Sequence, residues 1–313
     1  MYILEKYINN EIHHIIMKRK IVKHGSSTLT VSLPSKWAKK FGIKEGIEVD
    51  VLEDKNSLRI TTESFNDSKK IKIDLKDENK FALRSIFGGL YRAGYDEIEV
   101  TSKSYEPLLE LQTMLDILPA FEYFEISKTK AIVKNISPNM NLSVTDGINK
   151  MKHIINTMHD ILVESIENNK FEKLDEIQKL RDNAIKYRDF VSRIILKDNI
   201  NDNLMSPYYI ISFVLATIPG YYRTLYKKLS KDKQKISKES LILLTSIKSY
   251  FNDMVSRNKK ASDLYYEWRN FEESVLTLLK KKEEDAFLIS FSLSIFRQIQ
   301  SMNSSYVMLG INI

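Results

Sequence analysis

The stretch KIVKHGSSTLTVSLPSKWAKKFGIKEGIEVDV, residues 20–51, decides how the first part of this chain folds. From Ser27 to Leu33 apolar and polar residues alternate, which is typical of a half-buried β-strand. Pro34 ends this strand, because proline cannot donate a hydrogen bond to a strand ladder. A short helix is predicted next, from Ser35 to Phe41.

A second pair of strands is predicted after this helix. Gly42 suits the left-handed conformation that closes a helix. The alternation around Val49 and Val51 then predicts a strand, and a turn at Asn56-Ser57 leads into a return strand from Leu58 to Thr62. The pattern therefore predicts a small β-module with one short helix.

Charge is segregated along this module. From Lys18 to Lys44 there are eight Lys or Arg residues and no acid, whereas Glu45 to Asp54 holds five acids and no base. The cationic part contains the loop His24-Gly25-Ser26-Ser27, whose backbone N–H groups can approach a phosphate closely. Lysines near a duplex release counterions and give salt-sensitive binding. The same pattern also fits an ordinary solvated surface, so charge alone leaves both interpretations open.

The stretch resembles the AbrB/SpoVT DNA-binding family, in its archaeal form fused to a PhoU-like helical domain. The residues that carry the resemblance are Gly25, Ser26, Leu29, Val31, Leu33, Pro34, Trp37, Gly42, Ile43, Gly46 and Val49. The resemblance implies a homodimeric swapped-hairpin β-barrel, in which strands of two chains share one core. Such pairing suits roughly 45 residues, which cannot bury a sizeable core alone.

The resemblance also implies where DNA is contacted: the first strands, the loop and the short helix. The residues here that can serve are Lys18, Arg19, Lys20, Lys23, His24, Ser26, Ser27, Lys36, Lys39 and Lys40. The bacterial branch favours arginine at two places that Thr30 and Ala38 occupy here. Lysine lacks the bidentate fork that reads guanine, so we expect recognition of shape and backbone rather than direct base readout.

Length and composition set broad limits on the chain. Its 313 residues predict two or three domains. It has no cysteine, which excludes disulfides and thiolate chemistry and fits a cytoplasmic protein. The net charge of +7 favours an acidic partner. No membrane insertion is expected, since the apolar stretches Tyr208–Ile218 and Ala286–Phe296 are short and Pro219 is predicted to end the first.

Four regions are predicted in order. Residues 1–17 are interpreted as an extension from an upstream, mis-assigned start, and residues 18–63 as the AbrB/SpoVT-like domain. Residues 70–135 show the order βαβαββ and are predicted to form a small α/β domain. Its segment 83–100 resembles the link between barrel and helical domain in the archaeal proteins, and no residue in this domain argues for a ligand-sensing role.

Residues 138–313 have helical spacing almost throughout. Six helices are predicted, and Ser206-Pro207 is interpreted as the start of the third. The predicted bounds are 143–169, 172–197, 206–229, 237–257, 260–281 and 283–309. Two sets of three helices indicate a duplicated three-helix unit, and residues 142–196 resemble the PhoU family. The predicted fold class is therefore multidomain α+β: a swapped-hairpin barrel, a βαβαββ domain and an all-α bundle of two three-helix repeats.

The acidic pairs that PhoU-like proteins use for metal clusters are altered here. Asp182 is followed four residues later by Lys186, and the best alignment sets Ala216 and Gly220 where the second pair would lie. We therefore expect no metal and no cofactor. His153 and His159 are six residues apart and are interpreted as packing or surface residues. No nucleophilic triad or phosphate loop stands out, so we expect no enzyme.

Three functions follow from these patterns. The first is a homodimeric DNA-binding transcriptional regulator, which the resemblance links to phosphate uptake. The second is a PhoU-like regulator that binds a phosphate-transport or signalling protein through its helices and uses the barrel for dimerisation only. The third, a metal-dependent or ligand-binding module, is disfavoured by the altered carboxylates.

Overall fold

The computed structural model describes residues 17–54, 57–61, 68–76, 79–136, 142–197, 202–232, 235–256 and 259–310. Residues 1–16, most of the predicted extension, lie outside the described residues. The chain divides into two compact units, 1–67 and 68–313.

The first unit contains two β-hairpins and one short helix. Strand β1 (Ile21–His24) pairs antiparallel with β2 (Thr28–Val31), helix α1 spans Ser35–Lys40, and β3 (Asp50–Asp54) pairs antiparallel with β4 (Ser57–Thr61). The hairpins form two separate two-stranded sheets. The predicted barrel needs strands of two chains, and it stays a prediction.

The apolar residues of this unit have no core within one chain. None of its residues with described exposure is buried. Leu29 and Leu58 are each 67% exposed, and Val31 is 49% exposed. In the single chain these strands are exposed, because two hairpins of this length have too few neighbours to cover their apolar faces. Their burial in a barrel of two chains stays a prediction.

The second unit begins with a four-stranded sheet. Along the chain lie β5 (Lys69–Leu75), α2 (Lys80–Arg92), β6 (Tyr95–Ser102), α3 (Glu106–Met114), a 3₁₀ turn (Leu115–Ile117), β7 (Phe121–Ser127) and β8 (Lys130–Asn135). The strand order is β5-β6-β8-β7, with only β5 and β6 parallel. The predicted order βαβαββ is confirmed. One sheet face packs on α2 and α3 around buried Leu83, Phe87, Ile98 and Val133.

The helical region follows with α4 (Val144–Glu167), α5 (Leu174–Lys197), α6 (Asp202–Asp232), α7 (Lys238–Ser256) and α8 (Ala261–Lys281). A 3₁₀ turn (Glu283–Asp285) leads to α9 (Ala286–Ser301) and α10 (Asn303–Gly310). Ser143 and Asp146 form a capping box at the start of α4. Gly147 allows close packing of α4 on α5, because a Cβ there would lie 2.4 Å from Val191 Cγ2.

Two predicted helix boundaries are wrong. The third helix, predicted at 206–229, begins earlier, at Asp202, and runs through Pro207 and Pro219 to Asp232. Buried side chains on both sides of Pro219, Ile218 and Tyr222, anchor the helix in the bundle core. Tertiary packing thus offsets the hydrogen bond that proline removes. The predicted last helix divides at Met302.

Helix α6 also bears on the expectation about membranes. Within the described chain, its segment Leu204–Asp232 is long and apolar enough to cross a membrane by length and composition alone. The core helix of a soluble bundle can have the same length and composition. In this structure, 39% of the apolar 18-residue segment of α6 is buried. The prediction that the apolar stretch was too short is therefore wrong.

Helix α5 connects the two hydrophobic cores of the second unit. Arg193 Nη1 donates to the Tyr91 and Tyr95 carbonyl oxygens at 2.7 and 2.8 Å, and its Nη2 donates to Asp96. Lys197 Nζ lies 2.7 Å from the same carboxylate. These contacts hold the sheet and the helices in one compact unit, although each has its own core.

Candidate nucleic-acid interface

The first hairpin divides its side chains between two faces. Pairing sets Ile21 opposite Val31 and Lys23 opposite Leu29. Because side chains alternate along a strand and paired residues share a face, these four lie together. His24 projects from the other face. The hairpin therefore does not bring Lys23 and His24, both predicted contact residues, onto one surface.

The turn of this hairpin presents exposed backbone. Gly25 has a φ of 71°, in the left-handed region that glycine adopts readily. Ser26 and Ser27 complete the turn and are exposed. Thr30 Oγ1 donates to the Val22 carbonyl oxygen at 3.1 Å, which ties the two strands together. This arrangement leaves the turn open to a phosphate.

Helix α1 carries a compact group of cations. Lys36, Lys39 and Lys40 follow the spacing i, i+3, i+4, so they lie on one helix face. All three are exposed. Lys39 and Lys40 occupy the last turn, where cations interact favourably with the helix dipole. The structure therefore brings these three predicted residues together.

The end of α1 is fixed by a Schellman motif. Gly42 has a φ of 66°, its N–H donates to the Lys39 carbonyl at 3.3 Å, and the Ile43 N–H donates to the Ala38 carbonyl at 2.9 Å. The rings of Trp37 and Phe41 lie 5.6 Å apart on another side of the helix. The motif and the ring pair together hold the lysine face in one orientation.

The remaining predicted residues precede the first strand. Lys18, Arg19 and Lys20 are exposed and lead directly into β1. Lys44, which the prediction left out although it belongs to the same cationic run, is also exposed. Within residues 17–54 and 57–61, no described acid forms an ion pair with any of these cations, so their charge is available to an external anion.

Asp182, the acidic residue singled out in the helical region, is engaged in ion pairs. Asp182 Oδ1 lies 3.0 Å from Arg181 Nη1 and 3.8 Å from Arg84 Nη2, and its Oδ2 accepts from Gln178. Ala216 and Gly220 lie on α6. Across the residues the structure describes, no group of three or more His, Cys, Asp or Glu residues is arranged to hold a metal ion.

Comparison with known protein families finds a similarity in the first unit. A family model described as "Antidote-toxin recognition MazE, bacterial antitoxin" matches residues 22–67. The match covers both hairpins and the lysine face of α1, and it supports an N-terminal domain of the AbrB type. Neither the curated proteins nor the solved structures compared with the chain show a match.

Proposed function

We propose that this chain is a DNA-binding transcriptional regulator that acts as a homodimer through its N-terminal unit. The observation that carries the proposal is the run of eight cations without an acid, exposed on a module of the MazE/AbrB type. Domains of this kind typically bind DNA and dimerise, which is consistent with both parts of the proposal.

Several exposed groups of the first unit suit contact with phosphate. Lysines on one face of α1 and the cations before β1 are exposed and free of described ion pairs, and the glycine-serine turn exposes backbone N–H groups. Such groups position a protein on the duplex backbone without reading its bases. We therefore propose binding that depends strongly on salt and weakly on sequence.

The first unit also exposes an apolar face that suits dimerisation. The apolar residues Ile21, Leu29, Val31 and Leu58 are largely exposed in one chain. Burying a leucine or valine side chain stabilises a protein by about 1.5–3 kcal/mol, so covering this set favours association. A second copy of the same unit carries the same apolar face, as the interleaved barrel of the resembled family requires.

A second candidate function is an antitoxin, and the family description favours it. In that case the protein would bind a toxin in addition to DNA, and the two activities are compatible in one chain. The link to phosphate uptake, with a transport or signalling protein bound by the helices, rests on the resemblance of the helical region alone. Binding of a toxin or of a transporter component would extend the DNA-binding proposal rather than replace it.

Charge reversal on α1 tests the proposal directly. In the double variant Lys36→Glu, Lys40→Glu, affinity for duplex DNA should fall by about tenfold or more, because two phosphate contacts per chain become repulsive. Fluorescence anisotropy with a labelled duplex at fixed salt measures the affinity, and light scattering checks that the oligomeric state is unchanged.

The matched control reverses two exposed lysines at the end of α8, Lys280→Glu and Lys281→Glu. Each reversal removes two charge units, so both double variants go from +7 to +3. The control should bind DNA as the parent protein does. Equal affinities in the two variants would show that the lysine face of α1 is not the contact surface.

A further inference from the structure

A cavity in the helical bundle has the composition of a ligand site. It lies between the antiparallel helices α7 and α8, with Phe296 of α9 also lining it, and its volume is about 870 Å³. Ligand sites typically enclose about 300–1,000 Å³ and combine apolar walls with a few polar groups. Along α7 the cavity extends from Glu239 to Tyr250, roughly 16 Å at 1.5 Å per residue.

Three aromatic rings line this cavity. Phe271 and Phe296 are stacked with centroids 3.8 Å apart, and Tyr250 lies 4.3 Å from Phe296. All three side chains are at least 94% buried, so the rings are held rigidly. Aromatic rings fixed in this way offer rigid apolar contact.

Tyr250 is only 4% exposed and lines the cavity. Burial and the nearby Glu267 carboxylate raise the pKa of Tyr250 to about 12, so the hydroxyl stays protonated at neutral pH. Its place in the cavity wall makes it available to a bound molecule.

Negative charge exceeds positive charge around the cavity. The lining contains Glu239, Glu267 and Glu273 but only one lysine, Lys259. That lysine is bound to two carboxylates, Asp253 at 2.7 Å and Glu267.

The other two lining carboxylates are less fully paired. Glu239 lies 3.7 Å from Lys282, and Glu273 has no described ion pair. Four carboxylates thus accompany two ammonium groups, an excess of two negative charges in a protein whose net charge is +7. This excess favours a positively charged occupant.

We propose that this cavity binds a small organic cation with an aromatic or alkyl body. The body packs on the rings of Tyr250, Phe271 and Phe296, and the cationic group lies among the lining carboxylates. This site is separate from the proposed DNA interface, and neither proposal depends on the other.

Three probes with the same phenylbutyl body separate charge from apolar contact. They are phenylbutyl-trimethylammonium, phenylbutanol and 5-phenylpentanoate, each titrated calorimetrically into the full-length protein. The cation should bind about tenfold more tightly than the alcohol, which corresponds to a charge contribution of about 1.4 kcal/mol. The carboxylate should bind more weakly than the alcohol.

Two substitutions locate the site. Glu273→Gln, at an exposed position that the fold does not use, should weaken binding of the cation about threefold and leave binding of the alcohol unchanged. Glu272→Gln is the matched control, because Glu272 is the neighbouring residue on α8, pairs with Arg297 and does not line the cavity. It should bind the cation as the parent does.

Several outcomes would overturn the proposal. They are no heat from the cation, equal affinity for cation and alcohol, or equal affinities in the Glu273→Gln and Glu272→Gln variants. Binding of a basic amphipathic peptide without binding of the small cation would also overturn it, since the cavity would then bind a protein partner. The variant Lys36→Glu, Lys40→Glu should bind the cation normally, which keeps this test independent of DNA binding.

Discussion

At the scale of single residues, His159 is the clearest titratable group in the bundle core. It is 3% exposed, and its Nδ1 lies 2.9 Å from the hydroxyl of Tyr222, which is itself 1% exposed. Burial lowers the pKa of His159 to about 4. The folded protein therefore keeps this imidazole neutral well below the pH at which a solvated histidine takes up a proton.

The low pKa of His159 predicts a loss of stability in mild acid. Between pH 6.5 and 4 the unfolded chain binds a proton that the folded chain does not, so the free energy of unfolding falls as pH decreases. At pH 5 the loss attributable to this residue should be about 2 kcal/mol relative to pH 7. Urea unfolding followed by circular dichroism at the two pH values measures it.

The substitution His159→Gln supplies the comparison. Glutamine keeps a polar group near Tyr222 but does not titrate, so the variant should lose about 2 kcal/mol less between pH 7 and pH 5 than the parent. Identical pH dependence in both proteins would mean that His159 is protonated in the folded state.

The positions of some residues could be predicted from spacing, and those of others could not. Spacing alone identified His153 and His159 as surface or packing residues, and the structure places the first at the surface and the second in the core. The cations of α1 were grouped correctly, because helical spacing determines which residues share a face. That Lys23 and His24 point to opposite sides follows from alternation only once both are known to lie in one strand, β1, and no strand was predicted there.

At the scale of secondary-structure elements, α5 joins the sheet to the bundle through one carboxylate. Asp96, at the start of β6, accepts from Arg193, from Lys197 and from the backbone N–H of Lys69 at 3.1 Å. Arg193 is itself 6% exposed and stacks over the ring of Tyr91 at 4.8 Å. The same carboxylate thus contacts the first residue of β5 and the last turn of α5.

Removing this carboxylate should be strongly destabilising. Asp96→Ala leaves the buried guanidinium of Arg193 without a counter-charge, and the free energy of unfolding should fall by about 3–5 kcal/mol. The control Asp160→Ala breaks the surface pair with Lys248 and should cost at most about 1 kcal/mol. Urea denaturation compares the two, and a similar cost in both variants would show that the Asp96 contacts do not hold the unit together.

Most helices and strands could be predicted because their apolar residues repeat with the period of a helix or of a strand. The alternation in β5 and the apolar stripe of α4 are visible without a structure. The start of α6 at Asp202 was not, since Ser206-Pro207 has the pattern of a helix start and the helix runs through it. The contacts of Asp96 join residues about 100 positions apart, which no local pattern reveals.

At the scale of the whole molecule, the two units differ in how much they bury. Residues 68–313 contain two hydrophobic cores, whereas the first unit exposes its apolar residues. The second unit should therefore fold without help, and association should depend on the first. This difference could not be predicted from alternation, which marks an apolar face but does not say which chain covers it.

The apolar face of the first hairpin should control the oligomeric state. Leu29→Asp with Val31→Asp should convert a dimer to a monomer of 36.6 kDa while the helical circular dichroism signal persists. The control Thr28→Asp places a charge on the opposite face of β2 and should remain dimeric. Light scattering on the eluting protein measures the mass, and a parent protein that is already monomeric at micromolar concentration would contradict the homodimer.

The most direct test of the central claim is the salt dependence of DNA affinity for the full-length protein. Because the exposed cations of two chains would each displace counterions, the slope of log K against log salt should be about −4 or steeper. The variant Lys36→Glu, Lys40→Glu should show a clearly shallower slope. No measurable binding at low salt, or a slope near zero in the parent, would contradict the assignment of this surface to nucleic acid.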